Sequence, residues 1–179
     1  MPVPVPASAT GEIESIITER DRDRLSKYDE TRAAALDEAR AGGSSSDLKI
    51  LEDLVSSPTL AFDDFDPVGD WRCRTIKVGG MSPLIVYGWF RCRVSDDGSG
   101  WRLEKLSGSQ RTAGRFFTSA EDRLTYLGAF HIAGEPTPAY GDPESDLIGI
   151  VFRNGPEHWR IELPEPPFES KLDILELKR

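Results

Sequence analysis

The sequence predicts a mainly β protein, with an eight-stranded antiparallel barrel or strongly curved sheet that follows an α-helical N-terminal arm. Three observations predict it. From Trp71 onward, short strand-like segments alternate with turn signals at regular spacing. Glycines stand inside apolar segments at Gly88, Gly128 and Gly149, as expected where a sheet bends. Before the linker, apolar residues recur at helical spacing.

The arm carries recognisable helix ends. Thr18 can cap a second helix after a break near the polar TERDRDR stretch, and Gly42 with Gly43 ends the helical pattern. Ser46 can cap a short helix that runs through Leu54. The predicted segments are a disordered leader (1–11), the helical arm (12–56), a linker rich in Pro and Asp (57–69) and the β-barrel domain (70–179).

The barrel domain divides into eight predicted strands. The turns between them contain Gly, Pro, Asn, Asp and Ser, which favour tight reversals of the chain. The connection 133–145 is the longest and most irregular. The predicted strands are roughly 70–78, 84–95, 100–107, 111–117, 124–132, 146–153, 158–163 and 171–178.

Charge excludes several classes of partner. Residues 1–66 hold 15 Asp/Glu against 7 Lys/Arg and residues 67–179 hold 16 against 15, so the arm carries most of the net charge of -9. An acidic chain repels nucleic acid and anionic lipid. No apolar run approaches the length of a membrane span, so no membrane insertion is expected. The N-terminus lacks signal-peptide features, so the protein is either cytosolic or exported with its leader absent from this chain.

The two cysteines lie in WRCR and FRCR, on segments joined by a turn. If these segments pair with residue numbers summing to 165, Cys73 lies directly opposite Cys92 and a disulfide is possible. Disulfides persist in oxidising compartments, so the pair favours a periplasmic or secreted protein. The alternative is two buried thiols in a cytosolic core.

Six segments of the chain carry a family resemblance. Together they resemble the bacterial domain of unknown function family 4893, over about residues 18–179. The resemblance implies export from a Gram-negative cell and transfers no catalytic or ligand residues. More weakly, the entry Gly69-Asp70-Trp71 is similar to the opening of lipocalin-like barrels. The segments are DRDRLSKYDETRAAALDEAR (21–40), GDWRCRTIKVGG (69–80), YGWFRCR (87–93), EKLSGSQRTAGR (104–115), YLGA (126–129) and RIELPEPPFESKLDILEL (160–177).

The arginines of the first strands are expected to share the surface opposite the cysteines. In the same register Arg72 faces Arg93 and Arg74 faces Arg91. Numbers summing to 195 across the next turn place Arg102 beside Arg93. Like charges opposite one another destabilise a sheet, so the acidic arm or the DDFD linker covers them, they splay into solvent, or they bind an external anion or acidic partner. This arginine patch consists of Arg72, Arg74, Arg91, Arg93 and Arg102.

The inward strand faces are read as core, but a barrel can also enclose a ligand cavity. In that case the candidate liners are Trp71, Tyr126, Phe130 and Trp159. Gln110 and Arg111, in the GSQRTAGR segment, could contact a ligand or simply satisfy the turn.

Catalysis and metal binding have little support in the sequence. Only His131 and His158 are present, no nucleophile-elbow motif occurs, and Cys and His lack zinc-ligand spacing. We therefore expect no cofactor, no metal and no catalytic residue. The expected function is non-enzymatic binding of a small ligand or protein partner. The alternatives are a hydrolase with a site near the 133–145 loop, or an interaction module whose detached arm exposes Leu48, Leu51 and Leu54.

Overall fold

The structure is a computed structural model that describes residues 9–179, with side chains described from Ile13 onward. The predicted leader 1–11 therefore lies largely outside the described residues, and the first helix begins at Ala9. The helices are α1 (Ala9–Ile16), α2 (Glu19–Ser26), α3 (Tyr28–Gly42) and α4 (Ser45–Val55). The strands are β1 (Gly69–Gly80), β2 (Leu84–Val86), β3 (Phe90–Asp96), β4 (Trp101–Lys105), β5 (Gln110–Ala120), β6 (Arg123–Ile132), β7 (Asp146–Gly155), β8 (His158–Pro164) and β9 (Ser170–Lys178).

The barrel closes by pairing its first and last strands. Strands β1 and β3 to β9 form an antiparallel ring, which is sealed where β1 pairs with β9 from Arg72–Lys178 to Gly80–Ser170. Short β2 pairs only with the second half of β1. Closure leaves no free edge among the eight ring strands. The predicted eight-stranded antiparallel barrel is confirmed.

The predicted strand 84–95 is divided in the structure. Residues 84–86 form β2 and residues 90–96 form β3, and Tyr87, Gly88 and Trp89 lie between them. Because the chain is displaced at this break, the first half of β1 pairs with β3 and its second half with β2. The break opens the barrel wall beside β1.

The predicted strand register is wrong by two residues. Trp71 lies opposite Cys92, and Cys73 lies opposite Phe90. The disulfide Cys73–Cys92 is nevertheless present, since diagonal positions on one face bring the two Cα atoms to 5.9 Å. A shift of two preserves the period-two alternation of side chains, so the predicted faces are retained.

One end of the barrel is filled with aromatic side chains. Phe62 and Phe65 of the linker insert beside Trp71 and Trp159, whose ring centroids lie 5.6 Å apart. The linker is fixed there by Arg153, which donates hydrogen bonds to backbone carbonyl groups at residues 61 and 63. The plug is part of one apolar cluster that runs through the barrel interior.

The arm packs along the outside of the barrel. Side chains of α3 and α4, including Leu36 and Leu51, cover Ile76 of β1 and Ile174 of β9. Thr18 caps α2 as predicted, whereas Ser44 rather than Ser46 caps α4.

The detached arm that the interaction-module alternative requires is not found, because α3 contacts β1 and β9. Leu51 and Leu54 are 0% and 3% exposed and Leu48 is partly buried, so all three pack in the cluster between the arm and the barrel wall.

Candidate functional site

The end of the barrel opposite the aromatic plug carries charged side chains among its inward-facing apolar residues. Every second side chain of a strand faces the barrel interior. On β1 the inward-facing residues after Cys73 are Thr75 and Lys77. On β4 the inward-facing residue after Leu103 is Lys105. With Asp173 of β9, these side chains line a cavity of about 50 Å³ that we call the mouth pocket.

Lys105 has the most unusual environment in the mouth pocket. It is 7% exposed, and its Nζ donates a hydrogen bond of 2.9 Å to the carbonyl oxygen of Gln110. The same Nζ lies 4.7 Å from the ring centroid of Phe90. Among the residues that the structure describes, none places a carboxylate at ion-pair distance from this amine. Burial, followed by the positive charges of Arg111 and Lys77, lowers the pKa of Lys105 to about 8.

Lys77 differs from Lys105 because it has acidic partners. Its Nζ lies 3.5 Å from carboxylate oxygens of both Asp173 and Glu169. Ser170 also donates a hydrogen bond to Asp173. Burial raises the pKa of Asp173, and the nearby Lys77 charge opposes that shift.

A loop covers the mouth pocket. This lid loop, residues 165–169, joins β8 to β9, and its Pro166, Pro167 and Phe168 line the pocket. Its two ends, Glu165 and Glu169, have left-handed backbone with φ of 47° and 71°. The Phe168 ring packs 5.0 Å from Phe130 and remains 50% exposed.

The helical arm positions this lid loop. Arg24 of α2 is 2% exposed and donates hydrogen bonds of 2.9 Å to the carbonyl oxygens of Glu165 and Asp146. Its charge is balanced by Asp21 on the same helix. The arm is thereby linked to the pocket by a buried guanidinium group.

A second opening reaches Lys105 from the side. The side cleft, about 230 Å³, lies between Tyr87 at the strand break and the turn at Gly108. Thr75 and Lys105 line both this cleft and the mouth pocket. The amine is therefore approached from two directions.

The structure separates the four aromatic residues predicted as cavity liners. Phe130 lines the mouth pocket, as do Gln110 and Arg111. Trp71 and Trp159 pack in the plugged end. Tyr126 is fully buried between the two ends, and its hydroxyl lies 2.7 Å from the Thr112 hydroxyl.

The arginine patch lies on the outer wall, and three of its five charges are balanced by carboxylates of the strands. Of the three alternatives, cover by the acidic arm or the DDFD linker is wrong, since the linker lies at the plugged end and the carboxylates that pair with the patch belong to strands. Arg72 faces Arg91 instead of Arg93, Arg102 lies opposite Ser95 instead of beside Arg93, and Arg74 lies opposite Glu176 instead of Arg91. The carboxylate partners are Asp70 for Arg93, Glu176 for Arg74 and Glu104 for Arg102.

Trp89 lies in the middle of the arginine patch. The guanidinium carbons of Arg72 and Arg74 are 5.1 Å and 4.5 Å from its ring centroid. Such cation–π contacts hold the two guanidinium groups over the aromatic ring.

Neither histidine lines the mouth pocket. His158 Nε2 lies 3.6 Å from Glu176 on the outer wall. No helix within residues 9–179 is long and apolar enough to cross a membrane. No group of three or more His, Cys, Asp or Glu in the described part of the chain is arranged to hold a metal ion.

The sequence reasoning missed the charged residues of the pocket. The sequence does contain a signal for them. Each stands at an inward-facing position of its strand, where an apolar residue is expected; they are Lys77, Lys105 and Asp173. A charge in phase with buried neighbours is the pattern that could have identified them.

Comparison with known proteins identifies one family. A family model described as a domain of unknown function (DUF4893) matches residues 14–177. No curated protein and no solved structure matches the chain. All residues that line the mouth pocket lie within the segments that carry the resemblance, except Phe130 and Leu147.

Proposed function

We propose that this chain, which belongs to the DUF4893 family, is a non-enzymatic binding protein that takes a small carboxylate into the mouth pocket of its β-barrel. Lys105 is the observation that carries this proposal. A buried amine is costly unless a negative charge compensates it, and no described residue supplies one at ion-pair distance. A bound carboxylate would supply it.

The charges of the pocket support an anionic ligand. Lys77, Lys105 and Arg111 line it against one inward carboxyl group, Asp173. Because burial raises the pKa of Asp173, protonation of that group would reduce its negative charge. A carboxylate accepts hydrogen bonds from ammonium and guanidinium groups, and these are stronger than bonds between neutral groups.

The dimensions of the pocket indicate the size of the ligand. A cavity of about 50 Å³ holds roughly four water-sized groups, which suits a ligand head of a few heavy atoms. The rings of Phe130 and Phe168 offer an apolar surface beside it. A longer ligand would extend into the side cleft along Phe90 and Tyr87.

Titration with matched ligand pairs tests the proposal. We expect acetate and propionate to shift the NMR signals of Lys105 and Thr112 in a saturable manner, whereas the neutral amides acetamide and propionamide do not. Lys105→Met should weaken carboxylate binding at least about tenfold, since one charge-assisted contact is lost. Lys49→Met, which alters an exposed lysine of α4, should leave it unchanged. Equal binding of acids and amides would contradict the proposal.

Export of the protein is part of the same proposal. The Cys73–Cys92 disulfide supports it, because such bonds persist in oxidising compartments. The test alkylates free thiols in whole cells of the native host before lysis and then measures the mass of the intact protein. We expect no alkylation unless a reductant is added first. Complete alkylation without reductant would place the protein in a reducing compartment.

The arginine patch supports a second candidate function, which is contact with an acidic protein segment. Arg72 and Arg91 face one another without a carboxylate partner among the described residues, although like charges in that position destabilise a sheet. We expect a peptide rich in Asp and Glu to bind the chain, and Arg91→Glu to weaken that binding. Arg22→Glu, on the arm, is the matched control. If Arg91→Glu and Arg22→Glu weaken peptide binding equally, the arginine patch is not the binding surface.

A further inference from the structure

The Lys105 amine has the surroundings of a nucleophile. It lies in a pocket that opens in two directions, and its contacts are a backbone carbonyl oxygen and an aromatic ring. Neither contact is a full negative charge that would hold the amine protonated. Buried lysines next to other cations are the ones that proteins use to attack carbonyl groups.

The protonation state of Lys105 supports this role. With a pKa of about 8, roughly a tenth of the Lys105 amines are neutral near pH 7, against roughly one in three thousand for an ordinary exposed lysine. Only the neutral amine has a free electron pair for bond formation.

We propose that Lys105 captures small aldehydes or ketones that carry a carboxylate, by forming a reversible imine inside the mouth pocket. This inference rests on the proposed function, because the carboxylate of a 2-oxo acid is bonded to the carbon that Lys105 attacks and so still compensates the charge of Lys105, with Lys77 and Arg111 lining the same pocket. A two-carbon 2-oxo acid has five heavy atoms, which is close to the capacity of the cavity.

Imine formation can be balanced with groups that line the pocket. The Lys105 nitrogen forms a bond to the carbonyl carbon, and one of its protons moves to the former carbonyl oxygen. Asp173, in its protonated form, gives a second proton to that oxygen, which leaves as water. The products are a protonated imine on Lys105, the Asp173 carboxylate and one water molecule. Burial raises the pKa of Asp173, which favours the acid form that this step uses.

Reductive trapping tests this inference on the intact, oxidised chain. The protein is incubated near neutral pH with glyoxylate and cyanoborohydride, which reduces an imine to a stable amine. Modified lysines are then located by peptide mass spectrometry. We expect Lys105 to be modified at least about tenfold faster than exposed Lys49, because more of its amine is neutral. Lys105→Arg should abolish the fast adduct, whereas Lys49→Met should retain it.

Two outcomes would overturn the inference. One is an unmodified Lys105, and the other is labelling of all lysines according to their exposure. The acetate titration distinguishes this failure from failure of the proposed function, since acetate has no reactive carbonyl group. Saturable acetate binding without a Lys105 adduct would refute imine formation and leave carboxylate binding intact. An adduct without acetate binding would refute carboxylate binding and leave the reactive amine.

Discussion

Replacing Lys105 with Met should make the protein more stable near neutral pH. Met has a similar length and no charge, so it fits the space that the Lys105 side chain fills, without the desolvation cost of an ammonium group. A buried group that destabilises the fold is typical of a functional site.

The magnitude follows from the lowered pKa of Lys105. Its folded value of about 8 lies below the ordinary value of 10.5, so the unfolded chain holds the proton more tightly than the folded chain. Each pKa unit corresponds to about 1.4 kcal/mol, which gives a penalty of about 3 kcal/mol at pH 7. The penalty disappears as the pH rises through the interval from 8 to 10.5. The hydrogen bond from Lys105 to Gln110 offsets about 1 kcal/mol of this penalty at any pH where the bond forms.

The assay compares the two proteins over pH. Urea unfolding gives the free energy of unfolding of the wild type and of Lys105→Met at several pH values between about 7 and 10. We expect the difference between them to change by about 2.5 kcal/mol over this range, because the wild type gains stability as Lys105 loses its proton. Lys49→Met serves as the control and should show no such change. A difference that is independent of pH would refute the buried, unpaired state of this amine.

Three further predictions concern the barrel. Replacing Cys73 and Cys92 together with Ala should lower the free energy of unfolding by about 3 kcal/mol, since the bond spans 19 residues, and added reductant should have no effect on this variant in chemical unfolding. Gly128→Ala places a Cβ 2.5 Å from a tyrosine hydroxyl and should lower the free energy of unfolding by about 1–3 kcal/mol. Gly88→Ala, with no atom within 4 Å of the new Cβ, is the control and should change that free energy by less than about 0.5 kcal/mol. Equal melting temperatures for the two variants would contradict the crowding argument. Glu162→Ala leaves the buried guanidinium group of Arg160 and the partly buried one of Arg32 without their carboxylate. It should cost about 3–5 kcal/mol, measured by urea unfolding against the exposed Glu157→Ala.

The mid-strand glycines show how far local reasoning reaches. Gly128 and Gly149 lie in strands, and a Cβ at either would meet neighbouring strands or side chains at less than 3 Å. Gly88 lies instead in the break between β2 and β3. Glycine inside an apolar segment predicted a bend at all three positions. Only the packing of neighbouring strands distinguishes a glycine that they approach closely from one that lies between two strands.

The arginine patch shows the limit of a predicted register. The correct faces were predicted because side chains alternate with a period of two, and an error of two residues leaves that alternation unchanged. The individual pairs were wrong, since the break at residues 87–89 displaces β3 along β1. This displacement brings Asp70 opposite Arg93 and Arg72 opposite Arg91.

The sequence by itself determined the elements that depend on near neighbours along the chain. These are the helical arm, the strands, and their inner and outer faces, whereas the sequence left the two cysteines as either a disulfide or two buried thiols. Only the tertiary structure decided which end of the barrel the linker plugs, where the arm packs, and which charges are buried. The reason is that burial of Lys105 depends on strands and a lid loop far away in sequence, and alternation within one strand carries no information about what closes over it.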